Sequence, residues 1–280
     1  MNVAARVYDW LFEQRGSTRP LALFRIALVI LVWTRLSADL ALWNATGPIE
    51  AMVGLTLLVL GALLLVGIHT RRTAALFATT MVVIYFHLGI NEGHVPFTHH
   101  HIYLLMICSV LVALGPCERS FSYDAWTAAT RGTPLSENGR LTANHLIILQ
   151  LAAIYFWTAV DKSNFIFLSG LRLDQILHLH YYESVFAPIL LWKPLVLSAS
   201  IAVVIVEYAL AVLVLSRRNL RLTFGLGLLL HGSFFYLLPV QTFSATMLAM
   251  YIMLARPEAV HTVTDRIVCR RNSNAEEKFT

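Results

Sequence analysis

Eight long runs of apolar residues dominate the chain, and this pattern limits the fold more firmly than any single motif. A membrane helix needs roughly 20 mostly apolar residues to cross about 30 Å of hydrocarbon, and a helix satisfies its own backbone hydrogen bonds in lipid. Charged residues make up only 13% of the 280 residues, well below the share in soluble domains. The sequence therefore predicts an all-α, polytopic integral membrane bundle. The predicted spans are Leu21–Trp43, Glu50–Ile68, Thr73–Ile90, His101–Gly115, Leu141–Val160, Pro194–Leu215, Leu220–Val240 and Thr242–Ala255.

Lys and Arg residues give these spans an orientation. If the N-terminus is cytoplasmic, the loops on the opposite side receive only Lys162, Arg172 and Lys193, and nearly all other basic residues fall on the cytoplasmic side. Membrane proteins retain such an excess of basic residues in their cytoplasmic loops. We therefore expect both termini in the cytoplasm.

The segments outside the spans suggest one domain and a tail. Ser163–Trp192 is too polar to span but rich in aromatic residues and Leu, so we expect it to lie in the membrane interface or to re-enter the bundle. Pro116–Arg140 is typical of a connector. Residues 1–257 are predicted to form one transmembrane domain, and 258–280 a polar, partly disordered cytoplasmic tail.

Composition argues against several other classes of protein. The net charge of +5 comes from Arg residues scattered over short loops, which does not indicate a nucleic-acid-binding patch. The three cysteines show no paired spacing, so neither a disulfide framework nor a cysteine zinc site is expected. The first twenty residues lack the features of a cleavable signal peptide, and the first apolar run can act as the insertion signal.

Several ionisable residues lie inside the predicted spans, where charge is costly and often functional. Arg35 and Asp39 are one turn apart and can form a structural ion pair. Arg25, one turn inside the cytoplasmic end, can snorkel or pair with Glu207. Glu207 and His231 lie in neighbouring spans and indicate either hydrogen-bonded core residues or a polar cavity.

Lys162 is a candidate base at the outer end of the fifth predicted span. The neighbouring Phe156, Trp157 and Phe165 can exclude water from its amine. Loss of water disfavours the charged ammonium, so such an amine can accept a proton near neutral pH. The alternative is an anchoring lysine among interfacial aromatic residues.

A histidine-rich segment, residues 94–101, runs from an outer loop into the fourth predicted span. Histidine clusters can hold a metal. Membrane di-iron oxygenases, however, use repeated histidine boxes, whereas here one cluster is followed only by His178 and His180. We therefore assign no metal ligands, and whether the histidine cluster binds a metal is left open.

Five motifs follow one another along the chain. They are the Phe24-Arg25 pair after Pro20, the Leu60–Arg71 turn, His101-Ile102-Tyr103-Leu104, the Tyr155-Phe156 to Asp161-Lys162 stretch, and Glu207 followed by His231. In their order and spacing these motifs resemble vitamin K-dependent γ-glutamyl carboxylase and its bacterial relatives, the HTTM family. The resemblance covers roughly residues 17–257, and its most specific part is the ungapped run from Gln150 to Gly170.

The resemblance implies a membrane enzyme in the bacterial cytoplasmic (inner) membrane, with reduced vitamin K or menaquinol as cofactor. In that family the lysine matching Lys162 deprotonates the hydroquinone, oxygen converts it to the epoxide, and carbon dioxide traps a peptide Glu carbanion. By the same comparison, the quinone would be held by His101, His231, Tyr103 and Trp157. Glu207, Arg25 and Gln150 would complete a polar cavity, and a peptide on the outer face would be the second substrate.

Departures from the family pattern keep other functions open. Asp161 replaces a lysine, Thr158 replaces a small residue, and no large lumenal domain is expected after the eighth span. The resemblance therefore supports chemistry on a quinone more strongly than carboxylation of a peptide. The alternatives are a non-catalytic membrane partner for the maturation, export or immunity of a secreted peptide, and a transporter. The particular quinone and the oligomeric state are not predicted.

Overall fold

Helices account for nearly every regular element of the computed structural model, which describes residues 3–41, 44–45 and 47–276. One short antiparallel pair, β1 (Arg15–Ser17) and β2 (Asn138–Arg140), joins Gly16 to Gly139. The helices are α1 (Val3–Tyr8), α2 (Arg19–Leu36), α3 (Pro48–Val66), α4 (Thr70–Val83), α5 (His100–Ala113), α6 (Tyr123–Thr130), α7 (Thr142–Lys162), α8 (Phe165–Leu168), α9 (Leu171–Tyr181), α10 (Ala187–Leu190), α11 (Lys193–Ser216), α12 (Leu220–Leu237), α13 (Gln241–Met250) and α14 (Pro257–Glu276).

Local sequence signals set the ends of the long helices. Pro48 and Pro194 lie in the first turns of α3 and α11, where a missing backbone N–H costs nothing. Gly67 ends α3 in the left-handed region, with φ of 80°, and donates its N–H to the Leu63 carbonyl at 2.8 Å. Asn219 begins α12 by accepting the Leu222 N–H through its side chain.

Five helices are long and apolar enough to cross a membrane, so the chain is a multi-pass integral membrane protein. The prediction of an all-α bundle is confirmed, whereas the count of eight spans and the cytoplasmic termini stay predictions. The first predicted span ends at Trp43, which lies outside the described residues. The five helices are Pro48–Val66, Thr70–Asn91, Thr142–Lys162, Lys193–Ser216 and Leu220–Leu237, and two shorter apolar helices are His100–Ala113 and Gln241–Leu254.

The helices form two compact units within the described residues. Unit 1 contains the chain up to Leu146 and again from Ala255, and unit 2 contains Ile147–Leu254. The sequence predicted a single domain ending at residue 257, without this division.

Unit 1 ties the beginning, the middle and the end of the chain together at Arg19. Its guanidinium pairs with Glu137 at 3.0 Å and with Asp265 at 2.6 Å, and it also donates to the Thr264 hydroxyl. Ser17 and His261 add a hydrogen bond of 3.0 Å. The first part of the predicted tail is thus a helix, α14, which these contacts hold to the start of α2.

Unit 2 is built from α7 and α11–α13, and the segment α8–α10 packs along the beginning of α11. A Cβ on Gly170 would meet the Leu197 backbone at 3.2 Å, so this segment and α11 are in close contact. The Tyr181 hydroxyl donates to the Tyr236 carbonyl at 3.1 Å, which ties α9 to the end of α12. None of α8–α10 is long enough to span, as the composition of Ser163–Trp192 predicted.

Candidate functional site

The central feature of unit 2 is an ion pair between Lys162 Nζ and Glu207 Oε1. The Glu207 side chain is 4% exposed and that of Lys162 is 22% exposed, so the pair is largely removed from water. Lys162 is the last residue of α7, whereas Glu207 lies about 21 Å from the start of α11 at 1.5 Å per residue. The end of α7 is therefore level with the middle of α11.

Two aromatic rings flank the ammonium of Lys162. The Nζ atom lies 5.7 Å from the centre of the Phe234 ring and 5.9 Å from that of Phe167, both within cation–π range. The sequence predicted Phe156, Trp157 and Phe165 for this role, and of these Phe165 is 85% exposed. The rings that flank the amine are Phe167 of α8 and Phe234 of α12.

A second group of polar side chains forms a hydrogen-bonded chain beside this pair. The Tyr155 hydroxyl lies 2.7 Å from His231 Nε2 and 2.8 Å from the Tyr251 hydroxyl, and all three residues are buried. Tyr155 shares one face of α7 with Lys162, because the two are seven residues apart. The Phe234 ring also contacts the His231 ring, with centroids 6.1 Å apart, so the two groups are neighbours.

Gly227 allows Tyr251 to reach this chain. A Cβ at Gly227 would collide with the Tyr251 hydroxyl, so only glycine leaves room for that oxygen. The backbone of α12 is therefore in direct contact with the tyrosine that ends the chain of hydrogen bonds.

Gly227→Ala is expected to lower the free energy of unfolding by about 1–3 kcal/mol, because overpacking forces the Tyr251 ring to move. Gly225→Ala in the same helix is the control, since its added Cβ meets nothing within 4 Å. Thermal unfolding in detergent measures both changes. Equal stability of the two variants would show that Tyr251 moves freely.

Two buried polar atoms of this cluster have no hydrogen-bond partner among the described residues. They are Glu207 Oε2 and His231 Nδ1. The Thr158 hydroxyl contacts the Glu207 carboxylate and also lies 2.8 Å from the Ile154 carbonyl, to which it can donate. Buried polar atoms are nearly always paired, so an unpaired carboxylate oxygen and an unpaired ring nitrogen in one cluster indicate a site for a polar ligand or for water.

His101 lies in unit 1 and has a different partner. Arg35 Nε donates to His101 Nε2 at 2.9 Å, and the same guanidinium pairs with Asp39, which confirms the predicted pair one turn apart. Arginine has no acceptor, so His101 Nε2 must accept, and its ring proton is on Nδ1. The His99 ring stacks on the His101 ring, with centroids 5.3 Å apart. His101 can therefore donate from Nδ1 to a ligand oxygen.

The other predicted site residues lie elsewhere. Trp157 is 65% exposed and lies on the side of α7 away from Tyr155, and Tyr103 is also exposed. Gln150 is half-buried in α7. The sequence left open whether Arg25 pairs with Glu207. In unit 1, Arg25 donates to the carbonyls of Cys117 at 2.7 Å and Phe121 at 2.5 Å.

Three of the predicted site residues, Lys162, Glu207 and His231, thus lie in one cluster of unit 2, and their chemical roles stay predictions. Sequence reasoning assigned no role to Tyr155 and missed Tyr251. The signal for Tyr155 was its spacing of seven residues from Lys162, which places both on one helix face. No comparable signal marks Tyr251. No group of three or more His, Cys, Asp or Glu residues able to hold a metal occurs in the described part of the chain.

Comparison with known proteins adds one finding. A sequence profile described as the HTTM domain matches residues 40–258, which is most of the chain and includes Lys162, Glu207 and His231. The Phe24-Arg25 pair precedes the matched range. No curated protein and no solved structure matches the chain.

Proposed function

The chain belongs to the HTTM family, and from that premise we propose that it is a membrane enzyme that oxidises a reduced naphthoquinone with oxygen. The observation that carries the proposal is the Lys162–Glu207 pair, buried beside unpaired polar atoms in unit 2. A bilayer protein keeps ionisable residues inside it mainly where they bind or react, because their burial is costly.

The residues of the cluster fit a hydroquinone. Its two hydroxyl groups can donate and accept, and Glu207 Oε2 and His231 Nδ1 are the buried atoms that lack partners in the described part of this cluster. The rings of Phe167 and Phe234 provide an apolar wall for a flat aromatic ligand. Glu207, His231 and the two rings would hold the ligand beside the Lys162 amine.

Lys162 and Glu207 can move a proton together. When the proton of Nζ passes to Glu207 Oε1, the amine becomes neutral and can accept a proton from an acidic hydroxyl. Phe167 and Phe234 flank the amine from which this proton moves to Glu207. A bound hydroquinone supplies the two electrons and two hydrogens that, with one molecule of oxygen, yield the quinone epoxide and one water.

Product analysis tests the proposal directly. Purified protein in lipid nanodiscs is incubated with menaquinol or vitamin K hydroquinone and isotopically labelled oxygen, and the lipid fraction is analysed by mass spectrometry. We expect an epoxide that contains one labelled oxygen atom. The oxidised quinone is the matched control and should give no product.

Absence of epoxide with both hydroquinones would contradict the proposal. Hydroquinone binding without turnover would instead favour a non-catalytic membrane partner. Adding labelled carbon dioxide and a Glu-containing peptide to the same assay tests whether the oxidation is coupled to carboxylation, for which we propose the outer face as the peptide site.

A further inference from the structure

The Tyr251–Tyr155–His231 chain has no part in the proton transfer described above, yet it is buried and fully connected. We propose that this chain fixes the ring proton of His231 on Nδ1, so that His231 is a neutral hydrogen-bond donor to an oxygen of the ligand. Tyr155 is then a positioning residue that acts through His231. The inference rests on the proposed function only for the identity of the ligand.

Counting donors and acceptors limits which residue donates in each of the two hydrogen bonds of Tyr155. Tyr155 has one hydroxyl proton and two neighbours, His231 Nε2 and the Tyr251 oxygen, so it donates to one and accepts from the other. If Tyr251 donates to Tyr155, Tyr155 donates to His231 Nε2. The imidazole is then neutral, with its proton on Nδ1.

The opposite direction leaves two buried polar groups of this cluster unpaired rather than one. His231 would donate from Nε2 to Tyr155 and Tyr155 to Tyr251, so the Tyr251 proton would lack an acceptor and the Nδ1 lone pair would lack a donor. No hydrogen bond in the described part of the chain gives the buried Tyr251 a second partner. The direction from Tyr251 to His231 leaves only the Nδ1–H unpaired. Each unpaired buried group costs about 1–3 kcal/mol, so this direction is favoured.

The position of His231 would allow its Nδ1 proton to be donated to a bound ligand. Its Nδ1 atom is buried and lacks a partner among the described residues, and the Phe234 ring is a neighbour of both the imidazole and the Lys162 ammonium. A ligand that covers this ring can present an acceptor oxygen to His231 and an ionisable hydroxyl to Lys162. The ligand class is therefore a flat ring with two oxygens of different roles, one accepting and one giving up a proton.

Solid-state ¹⁵N NMR of histidine-labelled protein in bilayers, without ligand, measures the tautomer directly. His231→Asn assigns the resonances by subtraction. We expect wild-type His231 as the neutral Nδ1–H tautomer and a shift toward Nε2–H in Tyr155→Phe. Tyr208→Phe is the control, because the Tyr208 hydroxyl contacts Ser163 and takes no part in the Tyr251–Tyr155–His231 hydrogen bonds. Tyr251→Phe should keep the wild-type tautomer, since Tyr155 still has no other acceptor than Nε2.

An Nε2–H or doubly protonated His231 in the wild-type protein would overturn the inference, whether or not the variants fold. So would an unchanged His231 spectrum in Tyr155→Phe. Because these spectra need no ligand, they test the tautomer of His231 even if the epoxide assay gives no product. If epoxide forms, Tyr155→Phe should raise KM for the hydroquinone about 10-fold with a smaller change in kcat, which corresponds to loss of one hydrogen bond to the ligand.

Discussion

Lys162→Met is expected to lower the rate of epoxide formation by ~10²–10⁴-fold, the usual contribution of a positioned acid or base. Methionine has about the length of lysine but cannot accept a proton, so the Phe167 and Phe234 rings keep an apolar neighbour while the base is lost. Initial rates with saturating hydroquinone in nanodiscs measure the effect. Lys193→Met is the matched control, because Lys193 is exposed at the start of α11.

Stability must be separated from chemistry in this experiment. Lys162→Met leaves the Glu207 carboxylate buried without its partner, and breaking such a pair typically costs about 3–5 kcal/mol. The double variant Lys162→Met/Glu207→Gln removes both charges and should recover most of that loss while staying inactive. Activity in the double variant comparable with wild type would show that neither side chain is the base.

Arg25→Met is expected to destabilise the protein by about 2–5 kcal/mol without any direct effect on unit 2 chemistry. Arg25 is 0% exposed, and its two terminal nitrogens donate to the carbonyls of Cys117 and Phe121. Its loss leaves two acceptors unpaired, each at a cost of about 1–3 kcal/mol. Burial raises the pKa of the Cys117 thiol to about 11, so this thiol is neutral near pH 7 and offers the guanidinium no charge to pair with.

Thermal unfolding in detergent measures the change, and Arg72→Met on the exposed side of α4 is the control, expected within about 0.5 kcal/mol of wild type. Arg25→Lys should recover part of the loss, since one ammonium lacks the forked geometry that reaches both carbonyls. A change as small as that of Arg72→Met would mean that water replaces the guanidinium.

Features that depend on local sequence were predictable. The prediction Pro194–Leu215 differs from α11 by one residue at each end, because Lys193-Pro194 and Arg217-Arg218 bound a run that is apolar apart from its serines and Glu207. The Arg35–Asp39 pair follows from helical spacing alone.

Features that depend on how helices pack were not predictable. Lys162 was expected at the membrane boundary and Glu207 deep in its span, and only the offset between α7 and α11 makes them partners. The packing of a third helix, α12, likewise brings Phe234 to the amine. Periodicity identifies the face that a helix buries, but the axial offset between two packed helices cannot be read from either sequence.

The pairing at Arg19 imposes an order on biosynthesis. Unit 2 is an insertion in the sequence of unit 1, and Arg19 requires Glu137 from before the insertion and Asp265 from after it. The ribosome must therefore finish all of unit 2 before the last ion pair of unit 1 can form. Contacts between residues so far apart in sequence form late and slowly. Arg19, at the start of α2, therefore lacks its Asp265 partner until α14 has been synthesised.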